Sequence, residues 1–158
     1  MRLGLGVAAG IAIADQLLKA WVLSLFAAAP SAPPLREITP FFNLVLTWNR
    51  GMSFGLFNTG AALNTLVFTA VAAVIVAGLL IWLRRVRERL LALSIGLVIG
   101  GAVGNVIDRL GRGAVVDFLD FHIGEWHWFA FNLADAAICV GVGLMAIDSL
   151  LGRREAPS

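Results

Sequence analysis

The amino-acid sequence predicts an all-α integral membrane protein of four transmembrane helices. Of its 158 residues, 59% are hydrophobic and 14% are charged, and the mean hydropathy is +0.89, values far from those of water-soluble domains. A bilayer core of about 30 Å needs roughly 20 apolar residues for each helical span. The length therefore accommodates about four spans and modest loops in one membrane domain, residues 1–158.

Four apolar stretches supply the spans. They lie at about 3–26, 61–83, 90–107 and 130–151. The first carries Asp15 and Lys19 and is longer than the usual core of a signal sequence, so we expect it to be retained as a helix. The second contains no charged residue.

The two longer loops, 27–60 and 108–129, each contain a pattern typical of a β-strand. Residues 42–49 are rich in β-branched and aromatic side chains, and residues 115–121 alternate. Non-helical backbone must lie outside the hydrocarbon or be shielded by protein. We therefore expect a short strand in each loop.

Arginines indicate the orientation. Seven basic residues fall on one side, namely Arg2, Arg84, Arg85, Arg87, Arg89, Arg153 and Arg154. Four fall on the other, namely Arg36, Arg50, Arg109 and Arg112. The positive-inside rule then places both termini in the cytoplasm and both long loops outside.

Charge and cysteine content exclude several classes of function. The net charge of +2 comes from basic residues at helix ends, not from a basic face, so no nucleic-acid partner is expected. Cys139 is the only cysteine, which excludes an internal disulfide and a multi-cysteine metal cluster. His122 and His127 stand in a loop without cysteine partners, and we predict neither a metal nor a cofactor.

Polar residues inside spans are costly, at about 2.5 to 3.5 kcal/mol for a charge at a helix centre, and therefore mark candidate sites. They are Asp15, Lys19, Asn105, Asp108, Arg109, Asn132, Asp135 and Asp148. All except Asp15, Lys19 and Asp148 lie near the outer ends of the third and fourth spans. This convergence predicts a site at the outer membrane surface.

Two acids, Asp117 in the outer loop and Asp135 in the fourth span, can reach the same depth. Paired carboxylates share one proton, so one can activate water while the other protonates a carbonyl. The plainer interpretations are a solvated loop acid at Asp117 and an acid favoured by the helix dipole at Asp135. Asp120 is equally acidic, and spacing alone does not choose between it and Asp117.

The remaining polar residues have structural interpretations as well. Asp108 is most simply half of a structural Asp–Arg pair. Asn132 could share a helical face with Asp135 or cap the helix. Asp15 and Lys19, four residues apart, would partly neutralise each other, and we take them as mainly structural, although they could line a substrate groove.

Two other functions remain open at this point. A small proton-coupled transporter could relay ions through its membrane acids, but its site would be expected near the bilayer midplane on broken helices. A structural scaffold could pack through small residues such as Gly96 and Gly100. A scaffold would be insensitive to isosteric aspartate substitutions.

Five motifs in order resemble those of the bacterial lipoprotein signal peptidases, or signal peptidase II. They are Asp15-x-x-x-Lys19, the run from Asn49 to Gly55, Gly104-Asn105-x-x-Asp108-Arg109, Val115-Val116-Asp117-Phe118, and Phe131-Asn132-x-Ala134-Asp135. Each motif is short, but together they span the chain with a matching topology. One departure is Met52-Ser53, where the family usually has small residues.

The resemblance implies particular roles. Asp117 and Asp135 would be the catalytic pair of an aspartic endopeptidase. Substrate binding or support of the site would fall to Asn49, Gly51, Phe54, Asn105, Arg109, Asn132, Asp15 and Lys19, with Asp108 structural. The two outer loops would form a small extracytoplasmic β-cradle with a mobile flap.

The resemblance also implies a substrate and a location. The substrate would be a prolipoprotein that carries diacylglycerol on its cysteine and is cut before that residue. The enzyme would be a monomer in the bacterial inner membrane, in contact with membrane lipid, and inhibited by globomycin. The substrate's own lipid would hold the scissile bond at the depth of the site.

Overall fold

The computed structural model describes residues 1–28, 35–51 and 61–152. Its helices are α1 (Arg2–Ala27), α2 (Ala61–Leu83), α3 (Arg89–Arg112) and α4 (Leu133–Gly152). Its strands are β1 (Leu35–Thr39), β2 (Phe42–Asn49), β3 (Val115–Ile123) and β4 (Trp126–His127). All four helices are long and apolar enough to cross a membrane, as predicted.

Helix α3 is the central helix of the bundle. It packs against α1, α2 and α4, and most of its residues are buried, whereas α2 leaves most of its apolar surface exposed. Large apolar side chains such as Leu66 and Val74 of α2 point away from the protein. That distribution suits helices whose outer faces meet lipid instead of water.

Small residues allow α3 to approach α1 closely. A methyl group on Gly100 would lie 2.6 Å from the carbonyl oxygen of Ala8, and one on Gly96 would collide with the backbone of Gly4. Gly96 and Gly100 therefore lie where the two helix backbones come closest. Close backbone contact of this kind is a usual way for membrane helices to associate.

Helix α3 is longer than predicted. It ends at Arg112 instead of residue 107 because the chain first adopts a left-handed conformation at Gly113, where φ is +74°. The Gly113 N–H donates to the carbonyl oxygen of Arg109 over 3.1 Å and so caps the helix. The polar residues that suggested the end of the span, Asp108 and Arg109, lie within the last turn.

Helix α4 begins at Leu133, three residues later than predicted, because Asn132 caps it. The Asn132 side-chain oxygen accepts the backbone N–H of Asp135 over 2.9 Å. The Asp135 carboxylate in turn accepts the backbone N–H of Asn132 over 3.4 Å. This reciprocal arrangement is a capping box, and it fixes the direction in which α4 enters the bundle.

The four strands form one antiparallel sheet in the order β1-β2-β3-β4. The sheet lies where α1 and α3 end and α2 and α4 begin, which we call the sheet end of the bundle. An apolar cluster attaches it to α1 and consists of Val22, Phe26, Leu44 and Phe118. The sheet is thereby held directly over the ends of the helices.

Strands β2 and β3 confirm the two predicted strands, while β1 and β4 carried no strong sequence pattern. The term all-α therefore applies to the helices alone, since the strands form a sheet beside them. Residues 52–60, which include the expected flap and Met52, Ser53 and Phe54, lie outside the described residues.

Candidate active site

Asp117 and Asp135 meet at the sheet end through a shared neighbour, Asn132. The Asn132 amide nitrogen donates to Asp117 Oδ1 over 2.7 Å, and its amide oxygen accepts the backbone N–H of Asp135. Asp117 is 1% exposed, and Asp135 is partly buried. A strand and a helix from different parts of the chain thus bring two carboxyl groups to one place.

The environment of Asp117 disfavours its ionised form. Burial raises the pKa of Asp117 from its usual 3.8 to about 6, and the negative charge of Asp135 acts in the same direction. Hydrogen bonds from Asn49 and Asn132 oppose that rise in pKa without cancelling it. An acid with this pKa can hold or release a proton near neutral pH.

Asn49 binds the second oxygen of Asp117. It is the last residue of β2, and its amide nitrogen donates to Asp117 Oδ2 over 2.9 Å. Its amide oxygen accepts the backbone N–H of Gly51 over 2.8 Å, which fixes the amide orientation. Gly51 has φ of +82°, a conformation that favours glycine.

Asn105 binds Asp135. Its amide nitrogen donates to Asp135 Oδ1 over 2.8 Å. Its amide oxygen accepts from Lys19 Nζ and from the Asn132 amide, each over 3.3 Å. The three asparagines Asn49, Asn105 and Asn132 therefore surround the two acids with oriented amide donors.

Below the carboxyl pair lies a buried charged cluster that joins α1 to α3. Lys19 Nζ lies 2.7 Å from both Asp15 Oδ2 and Asp108 Oδ2, and all three side chains are fully buried. Asp108 also pairs with Arg112, so the cluster contains two positive and two negative groups. Charges buried in a membrane need such pairing.

The arginine that pairs with Asp108 is Arg112. One oxygen of Asp108 accepts the backbone N–H of Val116 over 3.2 Å, which ties the end of α3 to the start of β3. The neighbouring Arg109 instead lies over the ring of Phe68, with 5.5 Å between Cζ and the centroid. Arg109 also lies within electrostatic range of Asp135, Asp117 and Asp108.

Two members of the cluster were not anticipated from the sequence, Gln16 and Arg112. The Gln16 amide nitrogen donates to Asp108 Oδ1 over 3.0 Å and to the Gly104 carbonyl over 3.1 Å. The four-residue spacing between Asp108 and Arg112, which suits an ion pair on one helix face, could have indicated Arg112 from the sequence. For Gln16 the sequence offered no such signal, apart from a polar side chain in an apolar helix.

Asp120 belongs to a different part of the sheet. In a strand, residues three apart point to opposite faces, and Asp120 accepts from the Asn43 amide over 2.9 Å and bonds His127 Nδ1 at the same distance. These contacts join β2, β3 and β4 away from Asp117. The sheet therefore separates the two acids that the sequence left equivalent.

The arrangement of the helices and the sheet is similar to that of solved bacterial membrane enzymes. A solved structure described as a bacterial membrane enzyme, obtained in meso at 2.3 Å resolution, superposes with a TM-score of 0.80 at 25% identity and covers 100% of this chain and 94% of its own. A second, at 1.9 Å resolution, gives 0.78 at 27% identity, with 95% and 94% covered.

Sequence comparison then specifies the family. Residues 7–151 match the family described as signal peptidase (SPase) II. A lipoprotein signal peptidase of Burkholderia thailandensis is 47% identical over 92% of this chain and 86% of its own, and one of Methylorubrum extorquens is 48% identical over 77% and 71%. The chain belongs to the signal peptidase II family, and this membership favours a peptidase over the transporter and the scaffold.

Proposed function

We propose that this chain is an aspartic endopeptidase that removes the signal peptide from diacylglyceryl-modified prolipoproteins, cutting before the lipidated cysteine. The observation that carries the proposal is the pairing of Asp117 and Asp135 through the Asn132 side chain. Relatives of similar sequence are named lipoprotein signal peptidases, which supports the same substrate class here.

The two carboxyl groups can divide acid and base roles. The raised pKa of Asp117, which follows mainly from burial, favours this residue as the member that carries the proton. Asp135 accepts the Asn105 amide and the Asn132 backbone N–H, one on each carboxylate oxygen, and these contacts orient the carboxylate. We infer that Asp135 accepts a proton from water and Asp117 donates to the substrate carbonyl.

The reaction then needs no covalent intermediate. Water adds to the scissile carbonyl carbon as the carboxylate of the pair removes its proton and the protonated carboxyl group donates a proton to the carbonyl oxygen. Collapse of the tetrahedral intermediate breaks the C–N bond, and the leaving amine takes up the proton that the pair removed from water. The proton shared by the pair is restored at the end of the cycle.

The location of the site fits a substrate held by its own lipid. We propose that the sheet end faces the periplasm, that both termini are cytoplasmic, and that the protein is a monomer of the bacterial inner membrane, in contact with membrane lipid and sensitive to globomycin. The substrate's acyl chains and apolar signal helix would keep the scissile bond at this depth. Enzyme and substrate would then meet by diffusion within the plane of the membrane.

The test is cleavage of a diacylglyceryl-modified prolipoprotein by the purified protein in liposomes. Asp117→Asn and Asp135→Asn keep size but remove the acid, and each is expected to lower kcat by at least about 1,000-fold. Asp120→Asn is the matched control on the same strand and is expected to keep turnover within about 3-fold. Normal cleavage by both of the first two variants would refute the aspartic mechanism.

A further inference from the structure

Lys19 lies between the buried charged cluster and the carboxyl pair. Its side chain is 0% exposed, and its ammonium contacts Asp15 and Asp108 at 2.7 Å on one side. On the other side it donates to the amide oxygen of Asn105 over 3.3 Å. One cation therefore contacts both the structural cluster and a direct ligand of Asp135.

The Asn105 amide has two possible orientations, and its surroundings select one. Its oxygen faces two donors, Lys19 Nζ and the Asn132 amide, while its nitrogen faces Asp135 Oδ1 at 2.8 Å. Rotating the amide by 180° would place its NH₂ group against the ammonium and its oxygen against the carboxylate. Both contacts would be repulsive, because an ammonium only donates and a carboxylate only accepts.

Asn132 alone is a weak constraint on this orientation. Its amide nitrogen has two hydrogens and three acceptors within reach, namely Asp117 Oδ1 at 2.7 Å, the Val116 carbonyl at 3.3 Å and Asn105 Oδ1 at 3.3 Å. The shortest of these bonds goes to Asp117, so the second hydrogen is shared between the Val116 carbonyl oxygen and Asn105 Oδ1. Lys19 is the charged donor at this position, and charge-assisted bonds are the stronger ones.

We propose that Lys19 is a positioning residue for the reaction, because its ammonium fixes the Asn105 amide with the NH₂ group on Asp135. This inference rests on the proposed peptidase function. Lys19 then has a role beyond neutralising Asp15 and Asp108. A purely neutralising lysine could be replaced by an apolar side chain once one of the acids is also made neutral.

The test removes the ammonium without leaving an excess buried charge. Asp15→Asn with Lys19→Met leaves Asp108 paired with Arg112, so the cluster remains neutral, and the new amide can still accept the Ala134 N–H that Asp15 accepts at 3.1 Å. Wild type, whose cluster is equally neutral, is the reference. Relative to it, the double variant is expected to lose about 10- to 100-fold in kcat, with KM within about 3-fold.

A double-mutant cycle with Asn105→Ala then separates positioning from folding. If Lys19 acts through Asn105, its removal has no further effect on kcat once Asn105 is alanine. Additive losses, or a loss of kcat that only follows the folded fraction measured by thermal unfolding, would overturn the proposal. If methionine prevents folding, the same cycle with Lys19→Gln keeps a polar group in the cluster; its amide can still donate to Asn105, so the loss of kcat is expected to be smaller, and it should again vanish once Asn105 is alanine.

This result is separable from the peptidase assignment. If wild-type protein cleaves the prolipoprotein and the Asp117 and Asp135 variants do not, but the cycle is additive, only the role of Lys19 is refuted. If the two aspartate variants cleave normally, the peptidase mechanism itself fails.

Discussion

Asn43 and Asn49 each donate an amide N–H to an aspartate on the adjacent strand, over 2.9 Å in both cases, yet only Asn49 contacts the carboxyl pair. Asn49 binds Asp117, whereas Asn43 binds Asp120. The two asparagines lie on the same strand, β2. They are therefore matched positions at which a contact to the proposed catalytic pair and a contact elsewhere in the sheet can be compared.

Replacing Asn49 with alanine is expected to lower kcat by about 10- to 100-fold, because one oxygen of Asp117 loses its donor. The loss also raises the pKa of Asp117 further, since that hydrogen bond currently lowers it. The pH profile of kcat/KM should therefore move to higher pH. Asn43→Ala is the control, and it should reduce thermal stability while keeping kcat within about 3-fold. Equal kcat for the two variants would contradict the assignment.

The raised pKa of Asp117 has a consequence for folding. The folded protein binds this proton more tightly than the unfolded chain, so the contribution of Asp117 to stability is greatest below about pH 4 and falls as pH rises to about 6. Asp117→Asn does not titrate. Its free energy of unfolding relative to wild type should therefore rise between pH 4 and pH 6.5, by about 2 kcal/mol.

Thermal unfolding of wild type and Asp117→Asn at several pH values checks this prediction. Any constant difference from altered hydrogen bonding cancels, because only the change with pH is compared. A difference that stays level across the interval would mean that Asp117 ionises as freely in the folded protein as in the unfolded chain.

Asp108→Ala is expected to destabilise the protein by about 3 to 5 kcal/mol, because it leaves two cations of the cluster, Lys19 and Arg112, with Asp15 in place of two carboxylates. Asp148→Ala is the control, since the described part of the chain gives Asp148 no ion pair, and its effect should stay within about 0.5 kcal/mol. Unfolding temperature in detergent measures both. A similar small effect for the two variants would show that the cluster contributes little to stability.

The close contact of α1 and α3 predicts opposite outcomes for two glycines. Gly100→Ala would bring a methyl group within 2.6 Å of the Ala8 carbonyl oxygen and is expected to cost about 1 to 3 kcal/mol. Gly10→Ala on α1 meets nothing within 4 Å and should be neutral or slightly stabilising. Unfolding temperatures in one detergent compare them directly, and equal values would argue against tight packing at Gly100.

Much of this architecture could be predicted from the sequence because it depends on local pattern. Hydropathy gave the number of helices, and α2 was placed correctly at both ends. The ends of α3 and α4 were missed because they depend on Gly113 and Asn132, whose capping roles appear only in the backbone conformation and hydrogen bonds.

Pairings between distant residues could not be predicted in the same way. Asn49 and Asp117 are 68 residues apart, and Lys19 and Asn105 are 86 apart. No local pattern indicates which strand partners which, so spacing alone left Asp117 and Asp120 equivalent. The family resemblance favoured Asp117 because this residue, and not Asp120, stands in the motif Val115-Val116-Asp117-Phe118.

The sheet also bears on the order in which the molecule matures. Its two central strands come from opposite halves of the chain, since β2 precedes α2 and β3 follows α3. A growing chain that has released only α1 and α2 carries Asn49 but neither carboxyl group of the pair, and Asp135 emerges only with the last helix. Both carboxyl groups are therefore present only after α4 has been synthesised, so proteolytic activity can begin only when the whole helix bundle is available.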